Sequence, residues 1–79
     1  MKIYFKDTEV FVQDLSRKGY SLRAFAKIIG VTGPYMSELT RQVKNPGPAT
    51  ARKIANALEV PFDHYFYIQN AYKSNHGSA

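Results

Sequence analysis

The residues of this chain whose type and spacing suit a chemical role are basic. Arg23 and Lys27 stand four apart in a segment with helical periodicity, and Arg41 and Lys44 follow a second short segment of that kind. Lysine and arginine side chains neutralise phosphates and release counterions. Any one of these cations, taken alone, is equally well a solvated surface charge. Their placement on both sides of one short segment favours contact with a polyanion.

Acid–base or nucleophilic chemistry has little support in the sequence. Asp63 and His64 are adjacent, but no serine or cysteine lies in a nucleophile elbow and no glycine-rich phosphate loop is present. The chain has no cysteine, and its two histidines, His64 and His76, are too few and too far apart for a structural zinc site. We therefore expect no enzyme activity, no metal and no cofactor, with His64 on a helix surface.

Length and charge narrow the class of protein further. The chain has 79 residues, which suits one domain, and its net charge of +5 favours a polyanionic partner. Arg52 and Lys53 are interpreted as solvated charges. No apolar run approaches the roughly 18 residues of a membrane span, and no signal peptide is recognisable, so we expect a cytoplasmic protein. We predict one domain over residues 1–73 and a disordered tail over 74–79.

The periodicity of apolar residues and the positions of the glycines and prolines that interrupt it predict an all-α fold of five helices. The predicted helices cover residues 8–17, 22–29, 33–41, 48–58 and 62–71. The predicted N-caps of the first three helices are Asp7, Ser21 and Thr32. Gly19 and Gly30 can adopt positive φ and are predicted to end the first two helices. Residues 1–6 alternate loosely and suit a short extended arm.

Helical spacing also predicts which residues face the core. The predicted core residues are Phe11, Leu15, Phe25, Ala26, Ile29, Met36, Leu39, Ala51, Ile54, Ala55, Leu58, Phe62 and Phe66. Ile28 falls off this face, which predicts an exposed apolar side chain. Such a residue is either part of a contact surface or an ordinary isolated surface isoleucine.

Residues 21–41 meet the physical requirements of a helix-turn-helix unit. A short turn around Gly30 joins two short helices, and Ala26 is small enough to let them approach closely. Pro34 suits the first turn of the second helix, where its missing N–H costs little. In such a unit the N-terminal residues of the second helix enter the major groove of DNA.

Four segments resemble the lambda-repressor-like, Xre/Cro-type helix-turn-helix family. They are SLRAFAKIIGVT over 21–32, YMSEL over 35–39, KNP over 44–46 and KIANALEV over 53–60, and Phe62, Asp63 and Phe66 resemble the closing helix. The resemblance implies a compact five-helix DNA-binding bundle in which 33–41 is the recognition helix. Two departures stand out. Leu22 replaces a frequent glutamine that contacts the DNA backbone, and Gly33 and Pro34 replace more usual polar residues.

The resemblance also implies which residues meet DNA. By position, Gly33, Pro34, Ser37 and Glu38 would face the groove, with Tyr35 near the backbone. We predict that Ser37, Glu38 and Arg41 carry most base readout and that DNA shape supplies the rest. The complete predicted set is Arg23, Lys27, Thr32, Gly33, Pro34, Tyr35, Ser37, Glu38, Arg41 and Lys44.

The sequence thus predicts a sequence-specific transcription regulator of double-stranded DNA, of the phage or mobile-element repressor type, acting as a homodimer. The alternative is a protein-interaction module of the same fold, an antitoxin or anti-repressor, whose main partner is a protein. RNA binding fits the charge, but no platform of aromatic strands is predicted. The aromatic ends of the chain suit either a dimer surface or local core. These aromatic residues are Tyr4, Phe5, Tyr65, Tyr67 and Tyr72.

Overall fold

The structure, a computed structural model, describes residues 1–69. The elements in chain order are β1 (Lys2–Phe5), α1 (Thr8–Arg17), α2 (Leu22–Ile29), α3 (Gly33–Thr40), α4 (Pro48–Ala57), α5 (Phe62–Tyr65) and β2 (Phe66–Gln69). The first four helices agree with their predicted bounds to within one residue, which is the ordinary uncertainty of helix ends. The predicted tail over 74–79 lies outside the described residues.

Side-chain caps start the first three helices, as predicted. Asp7 Oδ1 accepts hydrogen bonds at 3.0 and 3.3 Å from two backbone N–H groups in the first turn of α1. Ser21 Oγ accepts one at 3.0 Å in α2, and Thr32 Oγ1 accepts one at 3.2 Å in α3. Each cap satisfies a donor that has no partner inside the helix, so the chain enters each helix at a defined residue.

Backbone conformation ends the helices. Gly19 and Gly30 have φ of +86° and +81°, the left-handed region that glycine adopts without steric cost. After α3 and α4 the same role falls to Gln42 and Glu59, with φ of 61° and 58°. A side chain at such φ costs about 1 kcal/mol. Two of the four helix ends therefore carry no glycine that the sequence could reveal.

An aromatic cluster centred on Phe11 joins the elements. The Phe11 ring centroid lies 5.0 Å from Phe5, 5.8 Å from Phe25 and 5.3 Å from Tyr65. The largest fully buried side chains are Phe11, Phe25, Phe66, Leu15, Met36, Leu39 and Ile54. The core predicted from helical spacing is confirmed, except that Phe62 is only partly buried. Ile28 is exposed, as predicted.

The predicted fifth helix, residues 62–71, ends at Tyr65, so that prediction is wrong over 66–69, and residues 70 and 71 lie outside the described residues. Phe66 turns to an extended backbone (φ −127°, ψ 157°), and β2 then pairs antiparallel with β1. The register places Phe66 opposite Phe5 and Ile68 opposite Ile3. A short apolar run fits a helix or a strand equally well, and its partner lies at the other end of the chain. Five helices are present within residues 1–69, but the two-stranded sheet means that the fold is mostly helical and not all-α.

A hydrogen bond ties the closing helix to the first helix. The Tyr65 hydroxyl donates to Asp14 Oδ2 at 2.5 Å. The bond lowers the pKa of the Asp14 carboxyl, and Arg17, 2.8 Å away, adds to that effect. Burial and the same bond raise the pKa of the Tyr65 hydroxyl. The contact holds α5 against α1 at the point where the chain enters β2.

Candidate nucleic-acid interface

Helices α2 and α3 pack closely around the turn predicted to join them. Ala26 of α2 is buried in the core, and Val31 N donates to its carbonyl oxygen at 2.9 Å. Gly30, in the left-handed conformation, closes α2 so that Thr32 can cap α3 two residues later. This is the local geometry of a helix-turn-helix unit, and it fixes the direction in which α3 leaves the body of the domain.

The two faces of α3 differ in burial. Met36 and Leu39 are fully buried and anchor the helix. The opposite stripe, spaced i, i+3, i+4 and i+7, consists of Pro34, Ser37, Glu38 and Arg41. Pro34 and Arg41 are exposed, whereas Ser37 and Glu38 are partly exposed. A helix that buries one stripe and presents the other to solvent can lay that second stripe against a ligand.

All ten predicted DNA-binding residues are at least partly accessible to solvent. Arg23, Lys27, Thr32, Pro34, Arg41 and Lys44 are exposed, and Gly33, Tyr35, Ser37 and Glu38 are intermediate. Leu22, the apolar departure at the start of α2, is partly buried and packs against the core. The side chain at that position therefore stabilises the domain.

Three of the predicted site residues are joined to each other. Lys44 Nζ lies 3.4 Å from Glu38 Oε1 and 5.9 Å from the centroid of the Tyr35 ring. The backbone N–H groups of Val43 and Lys44 also donate to the Glu38 carbonyl oxygen, at 3.0 and 3.4 Å. Lys44 thus lies against the end of α3, where it compensates the charge of Glu38. This pairing was not predicted from the sequence, because Glu38 lies in α3 and Lys44 in the loop that follows it.

Asn45 is a residue whose role the sequence analysis missed. Its Nδ2 donates to the Ile3 carbonyl oxygen at 3.0 Å, across 42 positions in the chain. Pro46 beside it is buried. The Asn-Pro pair was interpreted only as part of a loop, but its asparagine connects the loop after α3 to β1 through this hydrogen bond. The sequence shows only the Asn-Pro pair itself, which is equally typical of an ordinary loop.

The sheet carries an aromatic pair on its outer face. Tyr4 and Tyr67 are cross-strand partners whose rings stack at 5.4 Å with an interplanar angle of 23°. Tyr67 is exposed. An aromatic strand surface was not predicted from the sequence, because β2 was assigned to a helix.

The described residues offer little for metal or acid–base chemistry. Within 1–69, no three His, Cys, Asp or Glu side chains are grouped closely enough to hold a metal ion. Asp63 and His64 are exposed, and the His64 ring lies edge-on to Tyr65 at 4.6 Å.

An open groove of about 310 Å³ is lined by Met1, Ile3, Pro48, Arg52, Phe62 and Ile68. None of the helices in the described part of the chain is long and apolar enough to cross a membrane.

Comparison with known proteins agrees with this geometry. A family model described as helix-turn-helix matches residues 15–65, from late in α1 to the end of α5. No curated protein and no solved structure matches the chain significantly. Both strands of the sheet lie outside the matched span.

Proposed function

The chain belongs to the lambda-repressor-like (Xre/Cro-type) helix-turn-helix family, and from that membership we propose that it is a sequence-specific transcription regulator that binds double-stranded DNA. Membership in this family makes the chain a DNA-binding domain. The observation that carries the finer proposal is the accessible stripe Pro34, Ser37, Glu38 and Arg41, opposite the buried Met36 and Leu39.

The chemistry of this stripe suits the edges of base pairs. Arg41 can donate two hydrogen bonds to guanine O6 and N7, and the Ser37 hydroxyl can donate or accept. Glu38 can accept from cytosine N4, and Pro34 offers an apolar contact to a thymine methyl group. Gly33 has no side chain, so it permits close approach of the backbone. Direct readout then rests on Ser37, Glu38 and Arg41, and DNA shape contributes the rest.

Cations on either side of α3 supply contacts to the DNA backbone. Arg23 and Lys27 are exposed on α2, and Lys44 lies in the loop after α3. The Thr32 and Tyr35 side chains lie near the start of α3, where phosphate contacts set orientation. Each lysine or arginine that binds a phosphate contributes about 0.9 to the slope of log affinity against log salt.

The regulator would act as a homodimer on two half-sites about one helical turn apart, roughly 34–36 Å. Two-fold symmetry doubles the backbone contacts, which compensates for a recognition helix that begins with Gly33 and Pro34. We place this function in the cytoplasm, in repression by a phage or mobile element. The proposal needs no cofactor. Control would come from protein concentration, from DNA occupancy or from a partner protein.

The second candidate is a protein-interaction module, an antitoxin or anti-repressor. Gly33 and Pro34 favour it because they offer few polar groups to bases, and so does Glu38, whose charge Lys44 already compensates. Selection of bound duplexes from a random library separates the two candidates. A regulator enriches a motif of two related half-sites, whereas an interaction module enriches no motif.

A further inference from the structure

The sheet fixes the start of the chain on the body of the domain. Ile3 and Phe5 of β1 face inward with 4% and 5% of their surfaces exposed, and they pack in the core. Because successive side chains of a strand alternate, Lys2 and Tyr4 lie on the opposite face. Lys2 is exposed. The strand therefore holds a cation at a defined place on the surface.

The Asn45–Ile3 hydrogen bond sets where that place is. The bond of 3.0 Å joins β1 to the loop that follows α3. Lys2 precedes Ile3 and Lys44 precedes Asn45, so each lysine is one residue from an end of the bond. Consecutive Cα atoms are about 3.8 Å apart. One hydrogen bond and one peptide unit on each side of it therefore connect the backbones of Lys2 and Lys44, although one belongs to the strand and the other to the proposed DNA-binding loop.

The junction between β1 and the loop after α3, formed by Ile3 and Asn45, is packed against the rest of the domain. Pro46, next to Asn45, is buried, and Ile3 lines a groove with Pro48 and Arg52 at the start of α4. A group held on a paired strand and a packed loop does not have to be ordered when a ligand binds, which favours binding.

The charges at the junction differ in how far they are compensated. Lys44 is paired with Glu38 at 3.4 Å. Lys2 forms no ion pair with any residue in 1–69, where the two salt bridges join Arg17 to Asp14 and Lys44 to Glu38. The Lys2 charge is thus uncompensated by the residues that the structure describes and is available to an external anion.

We propose that Lys2 binds a backbone phosphate of duplex DNA beside those reached from the loop after α3, and that Asn45 positions it. The sheet would then extend the DNA contact beyond the helix-turn-helix span that the family model matches. This inference rests on the proposed function, since it places the phosphate next to DNA held by α3.

The test compares two lysines of the same segment. Lys2→Gln and Lys6→Gln each remove one exposed cation, but the positions are about 13 Å apart along an extended chain. Lys6 follows the last residue of β1, and its N–H donates to the Tyr65 carbonyl oxygen. Fluorescence anisotropy with the selected duplex would measure affinity at several salt concentrations.

We expect Lys2→Gln to lower the salt slope by about 0.9 per protomer and the affinity about fivefold to tenfold at 0.1 M salt. Lys6→Gln should match the wild type. An unchanged slope for Lys2→Gln would overturn the inference, and so would equal losses in both variants, which indicate diffuse attraction. A loss confined to single-stranded oligonucleotides, shared with Tyr67→Ala, would instead assign the outer sheet face to base stacking.

Coupling to Asn45 tests the positioning role. In an Asn45→Ala background the effect of Lys2→Gln should shrink to less than half, with the fold verified by circular dichroism. An undiminished effect would contradict positioning by Asn45. A wild type that binds duplex without a preferred site contradicts the proposed function, yet the salt slopes of Lys2→Gln and Lys6→Gln on that duplex still decide the inference.

Discussion

Lys44 Nζ lies 3.4 Å from Glu38 Oε1, so a residue expected to contact phosphate is paired with a residue expected to read a base. DNA would have to separate them before each could act alone. The lysine side chain is 55% exposed and the glutamate 32%, and an ion pair this accessible is worth 1 kcal/mol or less. We therefore expect the pair to weaken nonspecific binding, because a compensated Lys44 attracts phosphate less. The pair is weak enough for the contacts of specific binding to break it.

Replacing Glu38 by Gln removes the partner of Lys44 and a negative charge that phosphates would meet. We expect tighter binding to random-sequence duplex, with a salt slope steeper by about 0.9 per protomer. Preference at one base pair should fall, because an amide no longer reads cytosine as a carboxylate does. Anisotropy titrations measure the first effect and duplex selection the second. Glu9→Gln, an exposed site on α1, is the control, and unchanged nonspecific affinity would count against the role of the pair.

Arg41→Gln tests the far end of the accessible stripe. Loss of a bidentate guanine contact should weaken binding to the selected duplex by about 1–3 kcal/mol and relax preference at one position. Arg17→Gln is a matched control, because Arg17 is also exposed at the end of a helix and its ion pair with Asp14 is local. Equal, sequence-independent weakening in both variants would show that Arg41 contributes only charge.

Gly30→Ala tests the turn between α2 and α3. Because Gly30 has φ of +81°, an alanine there should lower the free energy of unfolding by about 1 kcal/mol. Gly33→Ala is the control, since Gly33 lies inside α3 and an added Cβ meets no atom within 4 Å. Urea denaturation should show a loss for Gly30→Ala alone. Equal stability of the two variants would mean that the positive φ carries no strain.

Tyr65→Phe tests the tie between α1 and α5 through its pH dependence. The folded-state pKa of Asp14 is lowered from 3.8, so its contribution to stability is complete above about pH 4 and declines as pH falls through the folded value. The folded-state pKa of Tyr65 is raised from 10.0, so stability declines as pH rises above 10. Denaturation across pH should show both declines in the wild type and weaker ones in Tyr65→Phe. Parallel curves would contradict the coupling.

The sequence revealed the features of this fold that are local. Asp7, Ser21 and Thr32 cap helices through N–H groups two or three residues away, so composition and spacing were enough to find them. The apolar stripes of the first four helices follow from periodicity for the same reason. The family resemblance then indicated which face of α3 would be accessible.

Two of the features that were missed depend on partners distant in the chain, and a third depends on the path of the loop after α3. Phe66 begins a strand because β1, at the other end of the described chain, provides the backbone hydrogen-bonding partners of that strand. The local spacing of Phe66 fits a helix instead. The Asn45–Ile3 bond spans 42 positions, and no local rule places an asparagine opposite a strand carbonyl. Glu38 and Lys44 meet because the loop after α3 folds back over the helix end, with Gln42 at positive φ.

Footprinting on DNA upstream of its own gene, from low to moderate salt with excess competitor DNA, would test sequence-specific binding. We expect protection of two half-sites about one helical turn apart that survives competitor. We also expect the Arg41→Gln variant to lose this protection at salt concentrations where the wild type retains it. Protection that competitor abolishes would leave only electrostatic attraction to DNA, and would contradict the assignment as a sequence-specific regulator in favour of a protein-interaction module.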